Sequence, residues 1–430
     1  MEPERQAADG LASDLFRREG ARLVAVLASQ LGLQHLQLAE DAVQEALVRA
    51  LQTWPYRGIP DRPEAWLAQT ARNIAFDQLR RLQNWERKRD DITSARPLWM
   101  SGEAESVPAP EPTATGPSDE TIRMLFVCAH PLLSEEAGIA LALRTLCGFS
   151  PAEIASAFLT TESTISKRLV RARQRIRDLG LPFELSPDHE LAARLGSVHR
   201  MLYLLFNEGY RASSGDRLIR ADLCHEALRL GLELTRHPAT ARPDTFALVA
   251  LMLLNAARLP ARADDSGNPL RLDEQDRSRW NHAMIQRGVE YLARAGTGTT
   301  LSTYHVEAGI AACHSTASCA ADTDWPRILS LYDRLLELDP SPLVAMNRAV
   351  ALARTCGAEQ GLAALDAIRP AGALDGYLFH HAVRGVLAAE AGRKDEARRH
   401  LARALELATL PGERAFLRRQ LEALGGSDAG

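Results

Sequence analysis

The sequence contains very little lysine, few aromatic residues and no long apolar run. Lys88, Lys167 and Lys394 are its only lysines among 51 cationic residues, so arginine carries nearly all of the positive charge. Arginine suits bidentate contacts with phosphate groups and guanine edges. Because no stretch approaches about 18 uninterrupted apolar residues, we expect no membrane span. The opening residues MEPERQAADG lack the apolar core of a signal peptide. We therefore expect a cytoplasmic protein without a membrane partner.

The six cysteines form no CxxC pair, and the sequence has no HExxH motif. Spacings of these kinds hold structural zinc or place catalytic zinc on a helix, so the sequence offers no recognisable metal centre. Carboxylates and imidazoles do occur between Glu208 and His314, but without a fixed ligand spacing. We therefore expect no catalytic residue, no metal and no cofactor. An enzymatic interpretation of the C-terminal part stays open, and would require a metal or a turnover that survives removal of the residues up to Gly180.

The charge of the chain is distributed unevenly. Its 430 residues, 46% of them hydrophobic and 25% charged, are enough for two to four soluble domains. The net charge is only -4, yet arginines crowd the segments Arg72–Arg89 and Lys167–Arg177. A mildly acidic protein with local basic helices is expected to meet nucleic acid through limited patches.

An amphipathic helix is predicted for LAEDAVQEALVRALQTWP, from Leu38 to Pro55. Apolar residues recur at the spacing of one buried helical face: Val43, Ala46, Leu47, Ala50, Leu51 and Trp54. The opposite face carries a polar ridge of Asp41, Gln44 and Glu45, continued by Val48. We expect the helix to end at Pro55, because proline interrupts a helix interior, before the loop YRGIPDRP.

A second helix, this one basic, is predicted to begin at Pro63, since proline is favoured at the first helical position. The residues placed to pack inward are Trp66, Ala71, Ile74, Ala75 and Leu79. The residues left outward are Gln69, Arg72, Asn73, Asp77, Arg80 and Arg81. The following segment, Ile92–Glu120, is rich in proline, serine, alanine and glutamate, which predicts a flexible tether.

The segment from Cys147 to Gly180 has the layout of a helix-turn-helix. Ser150 and Glu153 are placed for a capping box on a short first helix, and Thr161 or Thr160 can cap the second. The predicted buried stripe of the second helix is Ile165, Leu169, Ala172 and Ile176. Its predicted exposed residues are Ser163, Thr164, Lys167, Arg168, Arg171 and Arg175. Such a helix can enter a major groove, where arginine addresses guanine and the other cations neutralise phosphates.

Helix pairs are predicted in the C-terminal part of the chain. Trp325–Ala353 and Tyr377–Ala408 each contain two helical patterns joined by a tight turn, with small residues on the packing side. A looser pair is formed by ADLCHEALRLGLELTRHP and TFALVALMLLNAARLP. These pairs resemble tetratricopeptide repeats, whose paired helices bury a face only against neighbouring pairs. The predicted fold class is all-α.

The order of these elements resembles the bacterial RNA polymerase sigma factors of the extracytoplasmic-function group, which keep only regions two and four. The resemblance covers about Leu11–Gly180, through AEDAVQEALVRALQTWP, AWLAQTARNIAFDQLRR and the helix-turn-helix. It implies region two at residues 10–90, a flexible linker at 91–120, region four at 121–180 and a helical extension with tetratricopeptide-like repeats at 181–425. The implied partners are core RNA polymerase, which supplies the catalysis, and promoter DNA.

The resemblance also implies three sets of binding residues. Core polymerase would contact Asp41, Gln44, Glu45, Val48 and Arg49. The melting minus-ten element would be held by Tyr56, Arg57, Gly58, Ile59, Asp61, Arg62, Arg72, Asn73, Arg80 and Arg81. The minus-thirty-five element would be read by Thr161, Ser163, Thr164, Lys167, Arg168, Arg171 and Arg175.

The part after Gly180 resembles a subgroup of these sigma factors that carries a long C-terminal extension, through LYLLFNEGYRASSGD, ARADDSGNPLRLDEQDRSRW and YHVEAGIAACHS. The resemblance implies that the extension controls activity in place of a separate anti-sigma factor. We expect it to contact the sigma regions of the same chain. From the residues alone a different interpretation stays open: a helix-turn-helix regulator that binds an operator without polymerase, with the repeats as sensor or scaffold.

Overall fold

The computed structural model describes residues 19–93, 119–158, 160–181, 183, 188–212, 219–264 and 268–426. Regular structure in these residues is helical, apart from one isolated bridge between Ala263 and Pro269. The predicted all-α class is therefore confirmed. The chain divides into two units, Met1–Met201 and Leu202–Gly430.

The first unit is built from amphipathic helices. Its helices are α1 (residues 19–31), α2 (Leu36–Arg57), α3 (Pro63–Thr93), α4 (Glu120–Cys128), α5 (Glu135–Cys147), α6 (Pro151–Ala157) and α7 (Glu162–Leu179), with the division between the units inside α8 (Asp188–Tyr210). Helix α2 buries Val43, Ala46, Ala50 and Trp54 as predicted, while its other predicted core residues are half-buried. The Trp54 ring meets the edge of Trp66 from α3, with ring centroids 5.6 Å apart.

The prediction that α2 ends at Pro55 was wrong. Helix α2 continues through Pro55 to Arg57, and the amide of Gly58 then donates to the Trp54 carbonyl at 3.0 Å. A proline lacks one donor, and so close to the helix end only one hydrogen bond is lost. The chain leaves the helix at Gly58, whose φ of +83° is a conformation that other residues rarely adopt. Tyr56 and Arg57 therefore lie in the last helical turn and not in a loop.

Helix α3 runs to Thr93, so the first residues of the predicted linker are helical. Helix α4 begins at Glu120, where the Asp119 carboxylate accepts from the amide of Thr121 at 2.8 Å. The rest of the linker, residues 94–118, lies outside the described residues.

The C-terminal boundary of the first unit is at Met201, past the predicted end of region four at residue 180. Arg200 of α8 lies 3.4 Å from Glu135 of α5.

The helix-turn-helix is confirmed, with its caps. The Ser150 hydroxyl accepts from the amide of Glu153 at 3.2 Å, and the Glu153 carboxylate accepts from the amide of Ser150 at 2.6 Å. Thr161 caps α7 by accepting from the amide of Thr164 at 3.3 Å. The four stripe residues predicted for α7 are all buried: Ile165, Leu169, Ala172 and Ile176.

The second unit continues as a chain of helices. After α8 these are α9 (Ala221–Leu234), α10 (Pro243–Ala256), α11 (His282–Ala295), α12 (Thr303–Thr316), α13 (Trp325–Leu338), α14 (Pro342–Cys356), α15 (Ala358–Asp366), α16 (Leu378–Glu390), α17 (Lys394–Leu407) and α18 (Pro411–Gly426). The predicted pairs are present as α13 with α14 and α16 with α17, and the looser pair is α9 with α10. Small residues pack these pairs, among them Ala349, Ala351 and Ala397, which are buried.

Helix α10 is the central helix of the second unit, packed by α9, α11 and α12. Gly288 lets α11 approach it closely, because a Cβ atom there would lie 2.7 Å from Leu254 Cγ. By length and composition alone, Pro243–Ala261 could cross a membrane, with a mean hydropathy of 1.3. However, 67% of that apolar window is buried inside the protein, as expected of a core helix.

Two histidines face each other between α16 and α17. His381 Nε2 lies 2.9 Å from the Asp375 carbonyl oxygen, so this nitrogen carries the proton that is donated. His381 Nδ1 in turn lies 3.0 Å from His400 Nδ1. Burial, with the charge of Arg384 and the neighbouring His381, lowers the pKa of His400 to about 4.

This shift predicts a loss of stability in acid. Because the folded chain holds His400 neutral while the unfolded chain protonates it near its ordinary pKa of about 6.5, the free energy of unfolding should fall as the pH drops from about 6.5 towards 4. His314, with a pKa also lowered to about 4 by burial, contributes in the same direction. Urea unfolding at several pH values should show a shallower pH dependence for His400→Gln than for the unmodified chain. Identical slopes would contradict the assignment.

Candidate nucleic-acid interface

The polar ridge predicted on α2 is exposed along its whole length. Asp41, Gln44, Glu45, Val48 and Arg49 are all solvent-exposed, and Val48 keeps 47% of its surface open. Within the ridge, Arg49 Nη2 lies 3.0 Å from Glu45 Oε1. An exposed pair of this kind contributes only about 0.3–0.5 kcal/mol, so these side chains can exchange it for a partner at little cost.

The connection from α2 to α3 presents a set of exposed side chains. All six residues predicted there are exposed: Tyr56, Arg57, Gly58, Ile59, Asp61 and Arg62. Tyr56 keeps 79% of its surface open and Ile59 keeps 43%. An open aromatic ring and a branched apolar side chain at one helix end are suited to stacking on an unpaired base.

Helix α3 carries its predicted polar residues on the outside. Arg72, Asn73, Arg80 and Arg81 are exposed, while Ala71, Ile74 and Ala75 are buried. Asn73 accepts from the side-chain amide of Gln69 at 2.8 Å, which orients it on the helix surface.

Helix α7 presents a cationic face opposite its buried stripe. Lys167, Arg171 and Arg175 are exposed, and within the part of the chain that the structure describes their side chains form no ion pair or hydrogen bond. At the helix start, Thr161 Oγ1 lies 3.1 Å from Ser163 Oγ and 2.8 Å from Thr164 Oγ1. The three hydroxyls therefore form one exposed cluster at the N-terminus of α7, and the three cations follow it along the helix.

Arg168 behaves differently from the other predicted cations of α7. Its guanidinium lies 2.6 Å from the Glu136 carboxylate of α5 and 5.6 Å from the centre of the Phe158 ring. Its side chain keeps only 23% of its surface open. In this arrangement Arg168 fixes α7 against its neighbours, with its charge already neutralised.

A buried anion that sequence reasoning missed joins α2 to the helix-turn-helix. Glu40 keeps 8% of its surface open. Its Oε1 accepts from the Thr145 hydroxyl at 2.6 Å, and its Oε2 lies 2.7 Å from Arg173 Nη2. We refer to Glu40, Thr145 and Arg173 as the Glu40 cluster. Burial, together with the charge of Glu40, also raises the pKa of the nearby Cys128 thiol. No local signal marks these residues, since they lie 105 and 133 positions apart in the chain.

The second unit has buried polar groups but no grouped ligand set. Among the described residues, no three histidine, cysteine, aspartate or glutamate side chains stand together as a metal site requires. Glu307 accepts from the Tyr203 hydroxyl at 2.9 Å, and burial raises the pKa of Glu307 to about 7. A carboxyl group held singly by a tyrosine suits packing better than ligation.

Comparisons with known proteins match the two segments of the chain that carry these exposed side chains. Residues 15–86 match the family model described as Sigma-70 region 2, and residues 123–176 match Sigma-70, region 4. Residues 194–296 match a family of unknown function (DUF6596). An uncharacterized protein of Rhizobium meliloti (strain 1021) is 40% identical over 398 residues, which is 92% of this chain and 92% of that protein. No solved structure matches the chain.

The Glu40 cluster makes a prediction about stability. Glu40→Gln removes the charge that neutralises the half-buried Arg173, so we expect the free energy of unfolding to fall by about 2–3 kcal/mol in urea denaturation. The matched control is Glu45→Gln on the same helix, where an exposed pair is removed and the change should stay below about 0.5 kcal/mol. Combining Glu40→Gln with Arg173→Gln should cost less than the sum of the two. Equal effects at positions 40 and 45 would contradict a buried ion pair.

Proposed function

Because this chain belongs to the sigma-70 family, as an extracytoplasmic-function-like sigma factor with a C-terminal extension, we propose that it docks on core RNA polymerase through the α2 ridge. It then directs initiation from specific promoters, under the control of its own extension. The sigma regions indicate a non-enzymatic transcription regulator. We place its action in the cytoplasm, together with polymerase and DNA.

One observation carries this proposal. The two matched sigma regions expose three sets of polar, cationic or aromatic side chains: the α2 ridge, the α2–α3 connection and the outer face of α7. A helix-turn-helix that acted only as an operator-binding repressor would need the α7 face and not the region-two surfaces. The match to region two therefore favours the polymerase partner over the operator-binding alternative.

We assign the minus-ten element to the α2–α3 connection and α3. Extruding a base from a melting duplex costs a few kcal/mol, and stacking with edge contacts can recover that cost. Tyr56 and Ile59 supply open apolar surface, while Arg57 and Arg62 supply charge for the phosphates on either side. On α3, Arg72, Asn73, Arg80 and Arg81 continue this surface along the strand.

We assign the minus-thirty-five element to α7. The Thr161, Ser163 and Thr164 hydroxyls stand at the helix N-terminus, where the recognition helix of a helix-turn-helix meets base edges. Lys167, Arg171 and Arg175 supply cations along the groove for guanine edges and phosphates. Arg168 acts on the DNA only if it exchanges Glu136 for a phosphate.

Binding of both promoter elements at once requires the ion pair between Glu40 and Arg173 to break. The two elements lie about 25 base pairs apart, which is roughly 85 Å of duplex at about 3.4 Å per base pair. Tyr56 is about 24 Å from Glu40 along α2, and Lys167 is about 9 Å from Arg173 along α7, at about 1.5 Å per residue. Even when the lengths of the joining side chains are added, the residues of α2 and α7 that we assign to the two elements cannot reach both of them while Arg173 is paired with Glu40. We infer that full promoter binding breaks this pair.

Substitutions on α7 test the DNA-reading assignment. Lys167→Ala combined with Arg171→Ala should weaken promoter binding and lower the slope of log affinity against log salt by about 0.9 for each phosphate that is no longer neutralised. Arg177→Ala is the matched control, since Arg177 lies on the same helix but off that face, bonded to Gln174 at 2.7 Å. Fluorescence anisotropy with promoter duplex at several salt concentrations measures both quantities. A double variant that binds like the control would overturn the assignment.

Transcription by core polymerase tests the sigma role and the control by the extension. We would compare the full chain with chains ending at Gly180 and at Met201, because the first unit extends to Met201. Specific transcripts from a promoter library are expected from at least one version, with a yield that depends on the extension. Equal transcript yields from all three versions would contradict control by the extension. Failure of every version to bind core polymerase would remove the sigma role.

A further inference from the structure

A cavity of about 220 Å³ lies within the second unit, between the connection from α10 to α11 and the helices α16 and α18. Its apolar wall is formed by Leu270, Leu378, Phe379, Ala382, Phe416 and Leu417. Three arginines also line it: Arg211, Arg262 and Arg271. Small-molecule sites commonly combine an apolar wall with a few polar groups in this way.

Two of the three guanidiniums have carboxylate partners. Arg211 Nη2 lies 2.6 Å from Glu413 Oε1, and Glu413 keeps only 7% of its surface open. Arg271 Nη2 lies 2.5 Å from Asp273 Oδ2. In each pair the two charges neutralise each other, so these pairs leave no net charge for a ligand to balance.

Arg262 is the guanidinium without a carboxylate partner among the described residues. Its guanidinium carbon lies 3.5 Å from the centre of the Tyr210 ring, and it donates to the Tyr210 carbonyl at the end of α8. A terminal carbonyl and a ring face offer partial negative charge only, about half an elementary charge for a whole helix end. Burial, with repulsion from Arg258 and Arg211, lowers the pKa of Arg262.

We propose that this cavity binds a small organic monoanion, with a carboxylate against Arg262 and an apolar body among Leu270, Phe416 and Leu417. A carboxylate matches the planar fork of a guanidinium and would neutralise a cation that is costly to bury unpaired. The volume sets the size of the ligand, since an apolar cavity of about 150 Å³ already accepts benzene. A benzoate-like ring or a chain of about six carbons therefore fits.

The position of the cavity gives the ligand a role. Arg211 follows α8, whose last part begins the second unit, whereas Glu413, Phe416 and Leu417 belong to α18, the last described helix. A bound molecule would contact both ends of this unit and stabilise their association. If the proposed function holds, the ligand is an effector through which the extension controls transcription; this last step alone rests on that proposal.

The binding test uses the full chain without polymerase or DNA, so that its result is independent of the sigma role. Calorimetric titration and thermal melting would be carried out with sodium benzoate and sodium hexanoate. The neutral analogues benzamide and hexanamide serve as controls for apolar binding. We expect saturable binding and a raised melting temperature with at least one carboxylate, and at least tenfold weaker binding of its amide.

Two variants locate the site. Arg262→Gln removes the cation and should weaken carboxylate binding at least tenfold. Ala382→Phe fills the cavity from α16 with Arg262 intact and should do the same, which covers the case in which one variant does not fold. Arg229→Gln, at an exposed arginine paired with Glu226 at 2.8 Å, should bind like the unmodified chain. No saturable binding of either carboxylate, equal binding of the amides, or unchanged binding in a folded Arg262→Gln protein would overturn the proposal.

Discussion

Each amphipathic helix of this protein must bury one apolar stripe, and that constraint decides which side chains remain outside. In α7 the stripe from Ile165 to Ile176 is buried, and so Lys167, Arg171 and Arg175 stand exposed. In α2 the same constraint leaves the ridge from Asp41 to Arg49 open. Burial of a stripe contributes most of the stability of such helices, because a single helix of this length is marginal in water. These exposed surfaces are thus a consequence of packing.

A buried ion pair then determines how α2 contacts the helix-turn-helix. Glu40 is buried with both carboxylate oxygens occupied by Thr145 and Arg173, which is the condition under which an ion pair withstands desolvation. The bonded arrangement is specific, since an isolated charge on either side would be costly to bury. The proposed breaking of this pair on a promoter would leave both charges to be solvated or bound by other partners.

Arginine performs a further structural task in the second unit that lysine could not. Two arginines of the connection between α10 and α11 cap the ends of other helices. Arg262 donates to the carbonyl of Tyr210 at the end of α8. Arg277 donates to the carbonyls of His314 and Ala317 at the end of α12, at 2.8 and 2.7 Å. Arg277 also lies over the Trp280 ring, 4.5 Å from its centre. A planar guanidinium can stack on a ring and cap a helix at once, whereas an ammonium is a compact point charge. The scarcity of lysine therefore suits this architecture as well as DNA contact.

The sequence by itself determined the local features: the capping box of Ser150 and Glu153, the stripe of α7, the exposed α2 ridge and the helix pairs of the second unit. These follow from periodicity and from hydrogen bonds spanning three or four residues, which a single sequence displays directly. Tertiary structure decided the rest. It directed the side chain of Arg168 to Glu136 of α5. It also paired Glu40 with Arg173 and left Arg262 without a carboxylate beside an apolar cavity. Which charges pair across more than a hundred residues depends on which are desolvated together, and burial of that kind exists only once the helices have packed.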